Sequence, residues 1–149
     1  MRHTARTIVA ILLCLLISCC LTSCNKEKQG TLKITEEEFS LEHDSEKTSI
    51  SLNAKGKVKN TSPYDIKNIV ITGRCKSCSE VMIGGEWFVT QQVKREVQKD
   101  KIRYLSAGDE ASYSFKGIAY FFKSDQVQEP ETYPEDLEVY VKSFETVQD

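Results

Sequence analysis

Alternation of apolar and polar residues at a period of two constrains this chain more than any other feature. Ile50, Leu52, Ala54 and Val58 interleave with Ser51, Asn53, Lys55 and Lys57, the pattern of a strand with one buried face. Ile66 to Thr72 is richer, with Ile69 and Ile71 on one face and Ile66 and Val70 on the other. Such a run suits a central strand. Ala111, Tyr113 and Phe115 alternate again, and Ile118, Tyr120 and Phe122 resume on the opposite parity. Gly117 sits at that switch, which predicts a bulge or bend. This parity turns Phe121 outward. Leu137, Val139 and Val141 close the series. Val81-Met82-Ile83, Gly84-Gly85 and Glu86-Trp87-Phe88-Val89 form a two-residue hairpin signal. Val89, Val93 and Val97 fit a helix face by spacing, but their stiff χ1 favours a further strand. Asn60-Thr61-Ser62-Pro63-Tyr64-Asp65 and Ser106-Ala107-Gly108-Asp109 are turn clusters. Gln128 to Asp136, with Pro130 and Pro134, reads as an acidic loop. About seven short strands separated by turns imply an all-β sandwich of immunoglobulin-like type, in one domain covering 31–149.

Ahead of that domain stands a different chemistry. Arg2 and Arg6 precede an apolar stretch from Thr7 to Leu21, and small residues follow. These are the parts of a secretory signal. The stretch is 15 residues long, short of the roughly 20 that a helix needs to span a bilayer. Leu21-Thr22-Ser23-Cys24 resembles the lipobox of bacterial lipoproteins. That resemblance implies cleavage after Ser23, palmitate-type acyl chains on the Cys24 thiol, and a domain order of signal peptide 1–23, lipidated tether 24–30 and sandwich. An unlipidated secretory signal and a retained anchor are the alternatives. Leu16-Ile17-Ser18-Cys19 is a second lipobox-like stretch, but it would cut inside the apolar core. Two or more acyl chains give stable anchoring, so the mature chain would be held on a membrane by lipid, in the cell envelope, facing the periplasm or the exterior. In Gram-negative lipoproteins an aspartate after the cysteine signals inner-membrane retention, so Asn25 points to the outer membrane.

Cleavage would remove Arg2 and Arg6, leaving 18 basic residues against 22 acidic ones. That mild acidity argues against nucleic acid, whose binders present basic faces.

Of six cysteines, Cys14, Cys19 and Cys20 leave with the signal and Cys24 takes lipid. Cys75 and Cys78 remain. Three readings stand. One is a small structural disulfide, favoured in an oxidising compartment and by the reach of a four-residue turn. Another is a thiol–disulfide oxidoreductase, with Arg74 and Lys76 lowering a thiol pKa. The third is a metal site, for which only the distant His43 is at hand.

A further resemblance rests on two stretches. Gly56-Lys57-Val58-Lys59-Asn60-Thr61-Ser62 leads into Ile66–Ile71, and Tyr104-Leu105-Ser106-Ala107-Gly108-Asp109-Glu110 follows later. Together they resemble FxLYD-type domains, immunoglobulin-like modules of bacterial lipoproteins and surface proteins. In place of that family's aromatic-x-Leu-Tyr-Asp stretch this chain has Thr72 to Cys78. The family has no shared catalytic residues, so the resemblance implies no site.

No nucleophile turn or phosphate-cradling loop appears. His43 reads as a solvated loop residue, and Glu36-Glu37-Glu38 and the Glu129/Glu131 pair as solvated faces rather than calcium ligands. Neither cofactor nor metal is expected. Trp87, Phe88 and Phe121 are the candidate binding surface, since aromatics concentrate in interface hot spots. The reading that follows is a non-catalytic, lipid-anchored binding or accessory module whose partner is an envelope protein. The oxidoreductase and a glycan- or peptidoglycan-binding module are the alternatives.

Overall fold

The computed structural model describes residues 29–90 and 95–148. Among these residues seven strands run as β1 (Leu32–His43), β2 (Ser49–Asn60), β3 (Ile66–Cys75), β4 (Trp87–Phe88), β5 (Lys99–Leu105), β6 (Glu110–Phe122) and β7 (Leu137–Thr146), with one 3₁₀ turn at Glu96–Gln98. They form two antiparallel sheets, a four-stranded one in the order β1-β2-β6-β4 and a three-stranded one in the order β5-β3-β7. The chain is an all-β sandwich. Leu52, Ala54, Val58, Tyr113 and Phe115 from the first sheet face Ile66, Ile69, Ile71 and Val139 from the second.

The alternating runs become β2, β6 and β7, and the richer one becomes β3, central in its sheet. Ile66, expected to oppose Ile69, shares its core, and both are fully buried. Asn68, with φ 54°, lies at an irregularity in the pairing with β7, where one extra residue of β3 reverses the alternation.

Phe121 requires a correction as well. Between Leu52 and Ala54 of β2 lies one residue, whereas three lie between their partners Ala119 and Phe115 on β6. The bulge at Gly117 therefore adds two residues to β6, and an even insertion preserves parity. Phe121 stays on the core side at 2 % exposure, and Tyr120 and Phe122 take the other face, where both pack against Phe88. Gly117 carries φ 75°, and a Cβ on it would collide with the Tyr120 hydroxyl. Only glycine suits both demands.

Two strands arise where no alternation announced them. β1 contains Glu36-Glu37-Glu38, and β5 reads Lys-Asp-Lys-Ile-Arg-Tyr-Leu. Both are edge strands, where charges discourage association with another sheet. The glutamates are exposed, and Glu36 and Glu38 meet Lys57 and Lys55 across the β1–β2 pair. His43 ends β1 rather than lying in a loop.

Two expected elements are absent from the described residues. Residues 81–83 are not a strand: Glu86 donates to the Ile83 carbonyl to close a turn, and Trp87–Phe88 pair with β6. Val89 lies outside the strands, Val93 outside the described residues, and Val97 is in the 3₁₀ turn and exposed. Gln98 supplies the inward group there instead. Its carbonyl accepts from Thr72 Oγ1 and its Nε2 donates to the Gly117 carbonyl, both at 2.7 Å, which bridges the sheets.

Candidate functional site

Register places the loops at two ends. Leu32 of β1 pairs with Asn60, so one end carries the entry of the chain, the turn 60–65, the turn 105–110 and the exit of β7. The opposite end carries the turn 44–48, the segment 76–86 and the segment 123–136.

The first end is tied to itself. Asn60, fully buried, donates from Nδ2 to the carbonyls of Tyr64, Leu105 and Ser106 and accepts at Oδ1 from the Ser62 amide and hydroxyl. Gly108 N and the Asp109 carbonyl complete the clamp on its backbone. Asp65 accepts from the Tyr104 hydroxyl and the Ala107 amide, which hold its carboxyl below the usual range. The Gly30 amide donates to Thr146 Oγ1 at 2.8 Å, setting the two ends of the sandwich domain side by side.

The opposite end holds a hollow of about 670 Å³ between the segments 76–86 and 123–136. Trp87, Phe121, Cys78, Val127, Pro130 and Tyr133 shape it. Trp87 meets Phe121 edge-on, with ring centroids 5.5 Å apart, and its Nε1 donates to the Thr132 carbonyl. Of the three aromatics expected to form a binding surface, only Trp87 is partly open. Phe121 is the floor of the hollow, and Phe88 is 5 % exposed and stacks on Phe122 beyond it. Nothing local in the sequence links Tyr133, Pro130 and Val127 to a tryptophan some 45 residues earlier.

Cys75 and Cys78 are joined as a disulfide with Cα atoms 5.5 Å apart. The pair closes the corner where β3 leaves its sheet. Among the described residues no α-helix starts there, so the helix dipole that lowers thiol pKa at redox motifs is not supplied. Around the corner Lys76 N donates to the Asp136 carbonyl and Ser77 Oγ to that of Glu135. Glu138 receives Arg74 and Lys76, whose hydrogen bonds pull its carboxyl down to about 2. Asp44, in the neighbouring turn, accepts from the hydroxyls and amides of Thr48 and Ser49 and is likewise held at about 2. Glu129 is bound by Lys123 at 2.9 Å, and His43 lies 3.9 Å from it. No group of three His, Cys, Asp or Glu residues among the described ones is arranged to hold a metal ion.

Cys24 and Ser23, with Cys14, Cys19 and Cys20, lie outside the described residues. Comparison of the chain with protein-family models, curated proteins and solved structures finds no match.

Proposed function

We propose that this chain is a lipid-anchored, non-catalytic binding module of the bacterial cell envelope, carried on Cys24 and recognising an envelope protein through the Trp87 end. The observation that carries the reading is the opposition of the two ends. The chain enters beside Thr146 and β1 runs 12 residues, about 40 Å at about 3.3 Å per residue, before reaching the end that bears the hollow. A tether at Cys24 would hold the Asn60 end toward the membrane and leave the hollow facing away from it. The resemblance to FxLYD-type modules belongs to this proposal. Its two stretches, around Asn60 and around Leu105–Asp109, meet in the Asn60 clamp.

The test is site-specific photocrosslinking of the intact chain in its native cells, from Tyr133 at one end and Lys67 at the other. One dominant envelope protein caught from Tyr133 and not from Lys67 supports the reading. Equal capture from both positions, or none, overturns it. Partners trapped as mixed disulfides, and lost in a Cys75→Ser/Cys78→Ser variant, would put the oxidoreductase in its place. Release of a Cys24→Ser chain from the membrane fraction tests the anchor separately.

A further inference from the structure

We infer that the Trp87 end docks a cationic polypeptide segment with apolar anchors, which rests on the binding-module reading and names the chemistry of its partner. Two independent properties of the surface converge on that occupant.

The first is exposed apolar area. Nine large hydrophobic residues among the described ones are exposed, and five of them, Val81, Met82, Ile83, Val127 and Tyr133, lie in the two segments that frame the hollow. Val81 and Met82 are each 64 % exposed. Such clustering marks an interaction surface, and a flexible methionine adapts to varied partners.

The second is charge. The segments 76–86 and 123–136 carry seven acidic residues and two lysines, whereas the rest of the chain from Cys24 onward carries 15 acidic and 16 basic ones. Both lysines are already engaged within the chain, Lys76 with Glu138 and Lys123 with Glu129. Glu86, Glu131 and Glu135 line the hollow and have no ion-pair partner among the described residues. The chain as a whole is nearly neutral, so this acidity is local. Potentials at an interface are matched by opposite charge on the partner. The same acidity disfavours an anionic bilayer surface, which attracts basic segments, so Val81-Met82-Ile83 are not read as a membrane-inserting tip.

The frame is also ordered in advance. The disulfide, the Ser77–Glu135 bond and the Trp87–Thr132 bond hold both walls, and pre-organisation lowers the entropic cost of docking.

Trp87 is the only tryptophan of the chain and lines the hollow, so its emission reports occupancy directly. The full chain in non-ionic detergent is titrated with three synthetic peptides: alternating Leu and Lys, alternating Leu and Glu, and alternating Ser and Lys. The expected result is a saturable emission change with the Leu/Lys peptide alone. Its affinity should fall by about tenfold or more between low and physiological salt, as screening predicts. The Glu86→Gln/Glu131→Gln/Glu135→Gln and the Met82→Ser/Ile83→Ser variants, which alter exposed side chains only, should each weaken it by about tenfold or more. Equal response to the Leu/Glu peptide, an undiminished response in both variants, or silence to all three overturns the inference. A fourth titration uses soluble peptidoglycan fragments. A response to these alone replaces the peptide with a glycan and overturns the inference while sparing the binding-module reading. That reading falls separately, if crosslinking from Tyr133 captures nothing.

Discussion

The two ends of the sandwich use their polar and apolar groups in opposite ways. At the Asn60 end a wholly buried amide has its donors and acceptor engaged by backbone or neighbouring side chains, and Asp65 faces a tyrosine and an amide. At the Trp87 end apolar side chains stand in solvent and three glutamates face a hollow with no cation beside them among the described residues. Buried polar groups are costly unless satisfied, so the first arrangement serves folding. Exposed apolar groups ringed by one sign of charge add little to stability. The contrast teaches where mutation should hurt the fold and where it should hurt only recognition.

The largest expected effect tests the clamp. Asn60→Ala removes five side-chain hydrogen bonds and leaves the buried Ser62 amide without its acceptor, so urea unfolding should show a loss of about 3 kcal/mol. A loss below about 1 kcal/mol would mean that the end is not held in this way. Second comes the disulfide at the opposite end. It closes a loop with a sequence separation of only three, for which chain entropy gives about 2 kcal/mol at most. Cys75→Ser/Cys78→Ser should therefore lower stability by less than Asn60→Ala, and loosened packing around Trp87 should appear as a shifted emission maximum. The reverse ranking would break the comparison.

Acid should sharpen it further. Asp44 and Glu138, both at the Trp87 end, are held at about 2, against ordinary values of 3.8 and 4.5. A carboxylate with a depressed folded pKa adds stability that is whole above its unfolded pKa and is lost as pH falls through the folded one. Unfolding midpoints should accordingly decline between about pH 4.5 and pH 2. Asp44→Asn should flatten that decline, and an unchanged slope would show that the turn at Asp44 makes no pH-dependent contribution. The smallest effect is expected from Glu131→Gln, within about 0.5 kcal/mol of the parent stability although it lies in the proposed docking surface. A large thermal shift would make that residue part of the fold.

The legibility of the chain follows the apolar or charged character of each strand. β2, β6 and β7 could be read because one face of each is apolar, and β3 because it lies in the middle of its sheet. β1 and β5 could not, since the charges on these two edge strands erase the period of two, whereas β7, also at an edge, keeps it in Leu137, Val139 and Val141. The apparent hairpin over 81–89 misled because a local Gly-Gly signal lost to pairing of Trp87–Phe88 with β6. The face that Phe121 takes is not legible, because sequence reveals that a bulge exists at Gly117 but not how many residues it inserts. Spacing left the Cys75–Cys78 pair open among a disulfide, a redox site and a metal site, and the structure joins the two as a disulfide. The hollow was not, because its walls come from segments some 45 residues apart that meet only after the sheets close.

The hydrogen bond between Gly30 and Thr146 makes the described chain nearly a closed ring. Gln29 and Gln148 border the same cleft, so a short linker can join them, and a new opening between Ser45 and Glu46 would fall in an exposed turn. The circularly permuted molecule would hang from its other pole. Its Asn60 knot would then point outward and Trp87 would press against the supporting surface. A protein that works by its free pole would stay folded in that inverted form and lose its partner.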